Sequence, residues 1–227
     1  MSQRLLTSAV FAGVAAGLIA AALQFMFVIP ALLEGELFET GARIHFGADG
    51  SPESDRGAPG LGGDWGRHLM TVGFNIVTYV GFGFLMLAAM AFAELRGLTM
   101  ITARQGLIWG LCGFVAIQLA PAFGLPPELP GTPAAEIGPR QTWWLGTLIA
   151  TTLGLWVIAF GRGWVALSGI VLILAPHLIG APHLEAYWGV APPELAAEFV
   201  SLSLGTAAAG WTALGGLCAW FWTRDTP

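Results

Sequence analysis

The stretch that decides the fold is LLTSAVFAGVAAGLIAAALQFMFVIPALL, residues 5–33, which holds 29 consecutive residues without a formal charge. A helix needs about 20 apolar residues to cross roughly 30 Å of hydrocarbon, so this stretch is long enough to span a membrane. A secretory signal core has only about 7–15 apolar residues, so we expect this longer run to remain as the first helix.

Five further uncharged runs follow, each of at least 20 residues, at 69–93, 105–125, 141–161, 163–182 and 199–223. Membrane strands alternate apolar and polar residues over about ten positions, and these runs do not alternate. The sequence therefore predicts an all-α, polytopic membrane bundle of six transmembrane helices, forming one integral membrane domain over residues 1–227. The fifth run is the weakest of the six, because Pro176 and His177 interrupt it.

The composition excludes several classes of protein. Charged residues make up only 10% of the chain, against about 25% in soluble domains. All nine basic residues are Arg, so the chain has no Gly-Lys-Ser/Thr phosphate loop and is not the ATPase of any pump. The absence of Lys also argues against a Schiff-base enzyme and a polybasic nucleic-acid surface. Because neither an HExxH motif, nor a nucleophile elbow, nor paired intramembrane carboxylates occur, we expect no enzyme.

The charges between the runs indicate how the chain is oriented. With both termini in the cytoplasm, the inner segments hold five arginines and two acids, and the outer segments hold four arginines and twelve acids. Short loops with arginine favour the cytoplasmic side, which supports this orientation. The one long loop, residues 34–68, is then an extracytoplasmic, acidic, Gly-rich segment. Its acids either concentrate cations near the bundle or merely keep the loop soluble.

An internal repeat relates the later runs to one another. Leu-Ala-Pro occurs at residues 119–121 and 174–176, and Pro-Pro-Glu-Leu occurs at residues 126–129 and 192–195. Each copy of the second motif is followed by Ala-Ala-Glu and then by a helix. Helices 3–4 and helices 5–6 therefore look like two copies of one in–out–in hairpin, which helix 1 joins loosely through Pro30.

The repeat places a proline near the outer end of every odd helix: Pro30, Pro121 and Pro176. A proline inside a helix removes one backbone hydrogen bond and clashes with the carbonyl four residues back. We therefore expect freed carbonyl oxygens about 10 Å below the outer surface, where each must find a partner. The polar side chains predicted at this depth are Gln24, Asn75, Gln118 and His177, with His68 at the rim.

Freed carbonyls, neutral amides, one imidazole and the negative ends of the odd helices together favour a cation. An ionisable group inside the membrane is a functional candidate by default, so His177 is the strongest candidate for a cation ligand. His183 and Glu185 extend it to His-x5-His-x-Glu, a donor set that suits Co, Ni or Zn better than Mg or Ca. Glu128 is either a ligand at the mouth of the bundle or only a carboxylate near the start of a helix. The amides are either ligands or only hydrogen bonds between helices.

These residues lead to the hypothesis that the chain moves a divalent transition metal inward and keeps no permanently bound cofactor. In this hypothesis the acids of the outer segments attract the ion, and the polar side chains about 10 Å below the outer surface remove its water shell. His177 then binds the ion and passes it inward. The competing hypothesis is a membrane scaffold that positions a metal-handling partner and transports nothing itself. Neither hypothesis involves a nucleic acid or a nucleotide.

Three stretches resemble the CbtA family: LAPAFGLPPELPG at residues 119–131, RQTWW at residues 140–144, and Arg67, Thr71 and Asn75 with Gly-Phe-Gly at residues 81–83. The resemblance extends over nearly the whole chain. It implies a polytopic subunit of a cobalt transporter in the bacterial inner membrane, linked to cobalamin synthesis. It also implies a small, His-rich, single-span partner, CbtB. Family members are usually described with five spans, whereas we count six here.

Overall fold

The computed structural model describes residues 2–51, 55–186 and 189–224, and the regular elements within these ranges are helices. We number six helices in chain order, two of which, α1 and α3, contain a π-helical segment. Their bounds are α1, Ser2–Leu23, Gln24–Val28 (π) and Ile29–Glu39; α2, Trp65–Leu95; α3, Ala103–Phe114, Val115–Leu119 (π) and Ala120–Ala122; α4, Ile137–Phe160; α5, Trp164–Ile179; and α6, Pro193–Arg224.

The predicted helical membrane bundle is confirmed, because five of these helices are long and apolar enough to cross a membrane. The other helix, α5, has 16 residues and is therefore about 24 Å long at 1.5 Å per residue. Gly163 before it (φ 55°) and Gly180 after it (φ 87°) both have left-handed backbone conformations. Such glycines end helices, so α5 is shorter than the apolar run that contains it.

Helices α1, α2, α3 and α6 form a four-helix body whose closest approaches occur at glycines. Where α1 packs on α2, a Cβ added at Gly13 would lie 2.4 Å from Val80 Cα. Where α3 packs on α6, a Cβ added at Gly215 would lie 2.1 Å from the Gly106 carbonyl oxygen. Small residues therefore let these backbones approach closely, as they do in many membrane bundles.

Helices α4 and α5 form a hairpin attached to this body. Gly154 and Gly169 face each other in it, and a Cβ at either would come within 2.6 Å of the other's carbonyl oxygen. Helix α4 contacts α3 around the second π segment, whereas α6 packs on α1 and α3. Within the described ranges the main interface of α5 is thus with α4, although the sequence repeat pairs helix 5 with helix 6.

The half of the four-helix body that contains Ser2 and Arg224, here called the inner half because we predict it to face the cytoplasm, is closely packed. Leu87 and Met90 of α2 and Leu214 and Cys218 of α6 have no exposed surface. At the inner end, the Glu94 carboxylate accepts hydrogen bonds at 3.0 Å from the Trp222 indole and from the Ile101 backbone N–H, and the Arg4 guanidinium lies over the Trp222 ring. The end that we predict to be cytoplasmic is therefore tied together across α1, α2 and α6.

The long outer segment is partly helical at its ends. Because α1 continues to Glu39 and α2 begins at Trp65, the irregular connection is shorter than the predicted loop of residues 34–68. Its chain folds back on α1, where the buried Glu34 carboxylate accepts hydrogen bonds from the Gly57 backbone N–H at 2.8 Å and from Arg43 at 3.2 Å. Two acids in the charge count, Glu53 and Asp225, lie outside the described residues.

Candidate cation site

Both π-helical segments end two residues before a proline. Gln24–Val28 precedes Pro30, and Val115–Leu119 precedes Pro121. In each segment a backbone N–H donates to the carbonyl oxygen five residues back instead of four. The wider turn gives room for the proline ring, and π-bulges of this kind often occur at functional sites.

The third proline of the repeat is accommodated differently. Pro176 lies in continuous α-helix near the end of α5. Its own carbonyl oxygen accepts a hydrogen bond from the Trp143 indole N–H at 3.0 Å. The three prolines have equivalent positions in the sequence, but only Pro30 and Pro121 follow a π-helical segment.

The two π segments border one cavity of about 310 Å³ between α1, α2, α3 and α6. It lies in the outer half of the four-helix body, above the closely packed inner half. Three of the predicted side chains, Gln24, Asn75 and Gln118, meet at this cavity. The polar side chains that line it are neutral amides and hydroxyls: Gln24, Asn75, Thr78, Tyr79, Gln118, Ser203 and Thr206.

The amide of Asn75 is held in one orientation by two hydrogen bonds. Its Nδ2 donates to Gln24 Oε1 and to the Thr71 backbone oxygen, both at 2.9 Å. An amide nitrogen carries two hydrogens, so both are used and Oδ1 remains available only as an acceptor. The bond to Gln24 joins α2 to the first π segment of α1.

Two further polar groups of the cavity come from α6 and α3. The Thr206 hydroxyl donates to the Leu202 carbonyl oxygen at 2.9 Å, so its own oxygen is left to accept. The side chain of Gln118 makes no hydrogen bond to any residue in the part of the chain that the structure describes. Gln118 therefore offers both its carbonyl oxygen and its N–H groups to an occupant of the cavity.

The floor of the cavity is aromatic: Tyr79 and Phe82 line it and pack on Trp211, which lies behind them and does not itself line the cavity. The rings of Phe82 and Trp211 lie 4.6 Å apart between centroids, and Tyr79 lies 6.4 Å from Trp211. Trp211 is only 2% exposed, and its indole N–H has no hydrogen-bond partner among the described residues. A Cβ added at Gly113 of α3 would lie 2.6 Å from the Trp211 ring, so this ring fits closely against α3.

His68 lies at the outer rim, where the sequence places it. It precedes Asn75 by two turns on the same face of α2. Its ring lies 5.5 Å from Phe25 and 6.0 Å from Trp65 between centroids. Its Nε2 is buried without a hydrogen-bond partner in the described ranges. His68 is therefore near the first π segment but not among the residues that line the cavity.

His177 lies in a different part of the molecule. Its ring has edge-on contacts with Trp143 and Phe123, at centroid distances of 5.8 and 6.0 Å. It is not one of the residues that line the cavity. The structure separates His177 from the three amides because α5 packs on α4, outside the four-helix body.

The remaining predicted ligands lie at the outer surface. His183 and Glu185 are exposed in the connection between α5 and α6. The Glu128 carboxylate accepts a hydrogen bond from Arg140 at 2.8 Å, so it pairs with an arginine in this structure. Within residues 2–51, 55–186 and 189–224, no group of three or more His, Cys, Asp or Glu side chains could hold a metal ion.

Two ion pairs at the outer surface have similar positions, since in each an arginine near the start of a helix pairs with a glutamate that follows a proline of α1 or α3. Arg67 at the start of α2 pairs with Glu36, which follows Pro30, at 3.0 Å. Arg140 in α4 pairs in the same way with Glu128, which follows Pro121. Together with the pairs Arg43–Glu34 and Arg56–Glu198, these contacts neutralise four of the twelve outer acids.

Sequence reasoning missed the residues that α6 contributes and the aromatic floor of the cavity. Ser203, Ala207 and Trp211 recur every four residues, which places them on one face of a helix. The available signal was the position of Trp211, since tryptophans of membrane helices concentrate at the interfaces and this one lies within an apolar run.

No curated protein and no solved structure matches the chain significantly. The family model CbtA, described as a probable cobalt transporter subunit, matches residues 2–223. The match includes every residue that lines the cavity. The chain therefore belongs to the CbtA family of probable cobalt transporter subunits.

Proposed function

We propose that this subunit lets a divalent transition-metal cation cross the bacterial inner membrane through the cavity of the four-helix body. Cobalt is the first candidate for the cation, with nickel and zinc as alternatives. In this proposal the cation is the transported substrate, so the chain acts as a transporter and not as an enzyme. The supporting observation is that four helices bring Gln24, Asn75 and Gln118 around one cavity of about 310 Å³. Polar side chains gathered inside a membrane bundle are typical of ion pathways.

We propose inward movement, toward cobalamin synthesis in the cytoplasm, with both termini on that side. An inside-negative potential supplies about 2.3 kcal/mol per elementary charge per 100 mV, or about 4.6 kcal/mol for a divalent cation. The chain lacks the lysine that a phosphate loop requires. The driving force in this proposal is therefore the membrane potential, an ion gradient or a partner protein.

The family is described as a transporter subunit, and this description supports the proposal that the chain acts with a partner protein. We propose a small, His-rich, single-span membrane protein of the CbtB type. Transition metals prefer imidazole and thiolate ligands, and the cavity of this chain offers neutral amides and hydroxyls instead. A partner with several histidines would supply the ligands that the cavity lacks.

The predicted site residues divide into two groups in this proposal. Gln24, Asn75 and Gln118 border the path of the cation, and His68 stands at its rim. The metal-binding roles of His177, His183, Glu185 and Glu128 stay predictions, because these residues lie away from the cavity.

Cellular uptake of radioactive cobalt tests the proposal with one pair of variants. Gln118→Met removes the unpaired amide and keeps the length of the side chain, whereas Gln105→Met makes the same change on α3 outside the cavity. Because a hydrogen bond to a charged species is worth roughly 1.5–3 kcal/mol, we expect Q118M to lower the initial rate about tenfold or more. We expect Q105M to match the wild type. Equal rates for Q118M, Asn75→Leu and the wild type would contradict the proposal.

The subunit description also supports the second candidate, a scaffold that only positions a metal-handling partner. A scaffold predicts that Q118M leaves cellular cobalt uptake unchanged while the chain still co-purifies with a small membrane protein. Liposomes that contain the chain and its partner then separate the two functions, since only a transport pathway through this chain makes flux sensitive to Q118M.

A further inference from the structure

The hydrogen bonds of the cavity leave acceptor oxygens free on α2 and α6, beside the free amide of Gln118 on α3 and the N–H groups of Gln24 on α1. The Nδ2 of Asn75 uses both hydrogens on Gln24 and Thr71, so Oδ1 can only accept. The Thr206 hydroxyl gives its hydrogen to Leu202, so its oxygen also can only accept. An occupant that presents hydrogen-bond donors on its surface would satisfy these free oxygen atoms.

A bare transition-metal ion is a poor match for this lining. Such ions are held in proteins by imidazole, thiolate or carboxylate ligands, and none of these groups lines the cavity. Removing the water shell of a divalent ion costs far more than a few neutral dipoles return. The cavity therefore lacks the groups that would compensate for dehydration.

The size of the cavity points in the same direction. Six water molecules occupy roughly 180 Å³ at about 30 Å³ each, and the cavity measures about 310 Å³. An ion with an octahedral shell of six waters fits inside with room to spare. Metal-bound waters turn their oxygens to the ion and their hydrogens outward, so the surface of such a complex consists of donors.

We propose that the cavity recognises its cation as the hydrated complex, through hydrogen bonds from metal-bound water to Asn75, Thr206 and Gln118, and not through direct metal ligation. This inference rests on the proposed function and specifies the form in which the substrate occupies the site. Recognition then depends on the charge and size of the aqua complex, so Co²⁺ and Ni²⁺ are handled almost alike. Selection between them falls to a component that binds the metal directly.

Hexaamminecobalt(III) is a suitable probe, because it exchanges ligands too slowly for direct ligation and displays N–H donors in the same octahedral arrangement. Equilibrium dialysis of the purified chain in physiological salt, with cobalt measured by atomic absorption, gives its binding without any need for transport. We expect one cavity-bound equivalent that Ni²⁺ displaces, since atomic absorption distinguishes nickel from cobalt. We expect Q118M and Asn75→Leu to weaken this binding about tenfold or more, while Q105M leaves it unchanged.

The control variant also separates the cavity from the acidic outer surface, which attracts a trivalent ion in every variant equally. Hexaammine binding that is the same in Q118M, N75L and Q105M overturns recognition of the hydrated ion. If cobalt uptake still depends on Gln118 in that case, the proposed function stands and direct ligation replaces this inference. Cobalt uptake that ignores Gln118 overturns the proposed function instead.

Discussion

The outer and inner halves of the four-helix body consist of the same helices, packed in opposite ways. In the outer half, the π segments before Pro30 and Pro121 border a cavity lined by amides and hydroxyls. In the inner half, glycines bring the backbones together and side chains such as Leu87 and Leu214 are fully buried. The same membrane helices can thus border a cavity at one end of a bundle, where prolines follow π segments, and pack closely at the other end, where they carry glycines.

The largest effect is expected where the inner half is tightest. A Cβ added at Gly215 would lie 2.1 Å from a backbone oxygen of α3, which cannot move aside as a side chain can. We expect Gly215→Ala to cost about 3 kcal/mol or more of stability, or to prevent assembly. Thermal unfolding in detergent, followed by circular dichroism, measures the loss.

Gly205→Ala is the matched control on the same helix, because a Cβ there meets nothing within 4 Å. Alanine is a better helix former than glycine, so G205A should be neutral or more stable by up to about 1 kcal/mol. A G215A protein as stable as G205A would show that α3 and α6 are not in close contact.

An intermediate effect is expected at the floor that separates the two halves. Cys218 follows Trp211 by two turns on α6 and has no exposed surface, so it reports water in the inner half. In a Cys112→Ala background, we expect Trp211→Ala to raise the rate of Cys218 labelling by N-ethylmaleimide on the order of tenfold, because removal of the indole extends the cavity inward.

Trp164→Ala is the control for this change, since Trp164 is 85% exposed and lies on α5, outside the four-helix body. It should leave the labelling rate unchanged. Rapid labelling of Cys218 in the chain with Trp211 intact would mean that water already reaches the inner half, and the contrast between the halves would be lost.

The smallest effect is expected outside the four-helix body. His177 packs against Trp143 and Phe123 and does not line the cavity. We therefore expect His177→Ala to change the initial rate of cobalt uptake by no more than about twofold, as a substitution away from a site usually does. If His177→Ala lowered the initial rate of cobalt uptake as much as Q118M does, this prediction would be wrong, and His177 would lie on the path of the cation as the sequence predicts.

Length, hydropathy and helix depth were enough to predict much of this architecture. Uncharged runs of 20 or more residues correspond to the six helices, since a span must hide its backbone from lipid. Counting 1.5 Å per residue from the outer surface placed Gln24, Asn75 and Gln118 at one depth, and the structure brings them to one cavity.

The depth of a residue along its helix does not determine which helices are neighbours. The sequence therefore did not predict the packing of α5. The sequence predicts His177 at the depth of the amides, but α5 packs on α4 through facing glycines, Gly154 and Gly169. Which glycine faces fit together depends on the shape of both helices. The pairing of Glu128 with Arg140 likewise depends on the path of the connection before α4, which composition does not reveal.

The indole of Trp211 carries one consequence for motion. Its buried N–H has no hydrogen-bond acceptor in the described ranges, a deficit worth roughly 1–3 kcal/mol. Any rearrangement that lends this group an oxygen or a water molecule recovers that free energy. The packing of Trp211 is therefore less stable, by about that amount, than it would be with an acceptor beside the indole N–H.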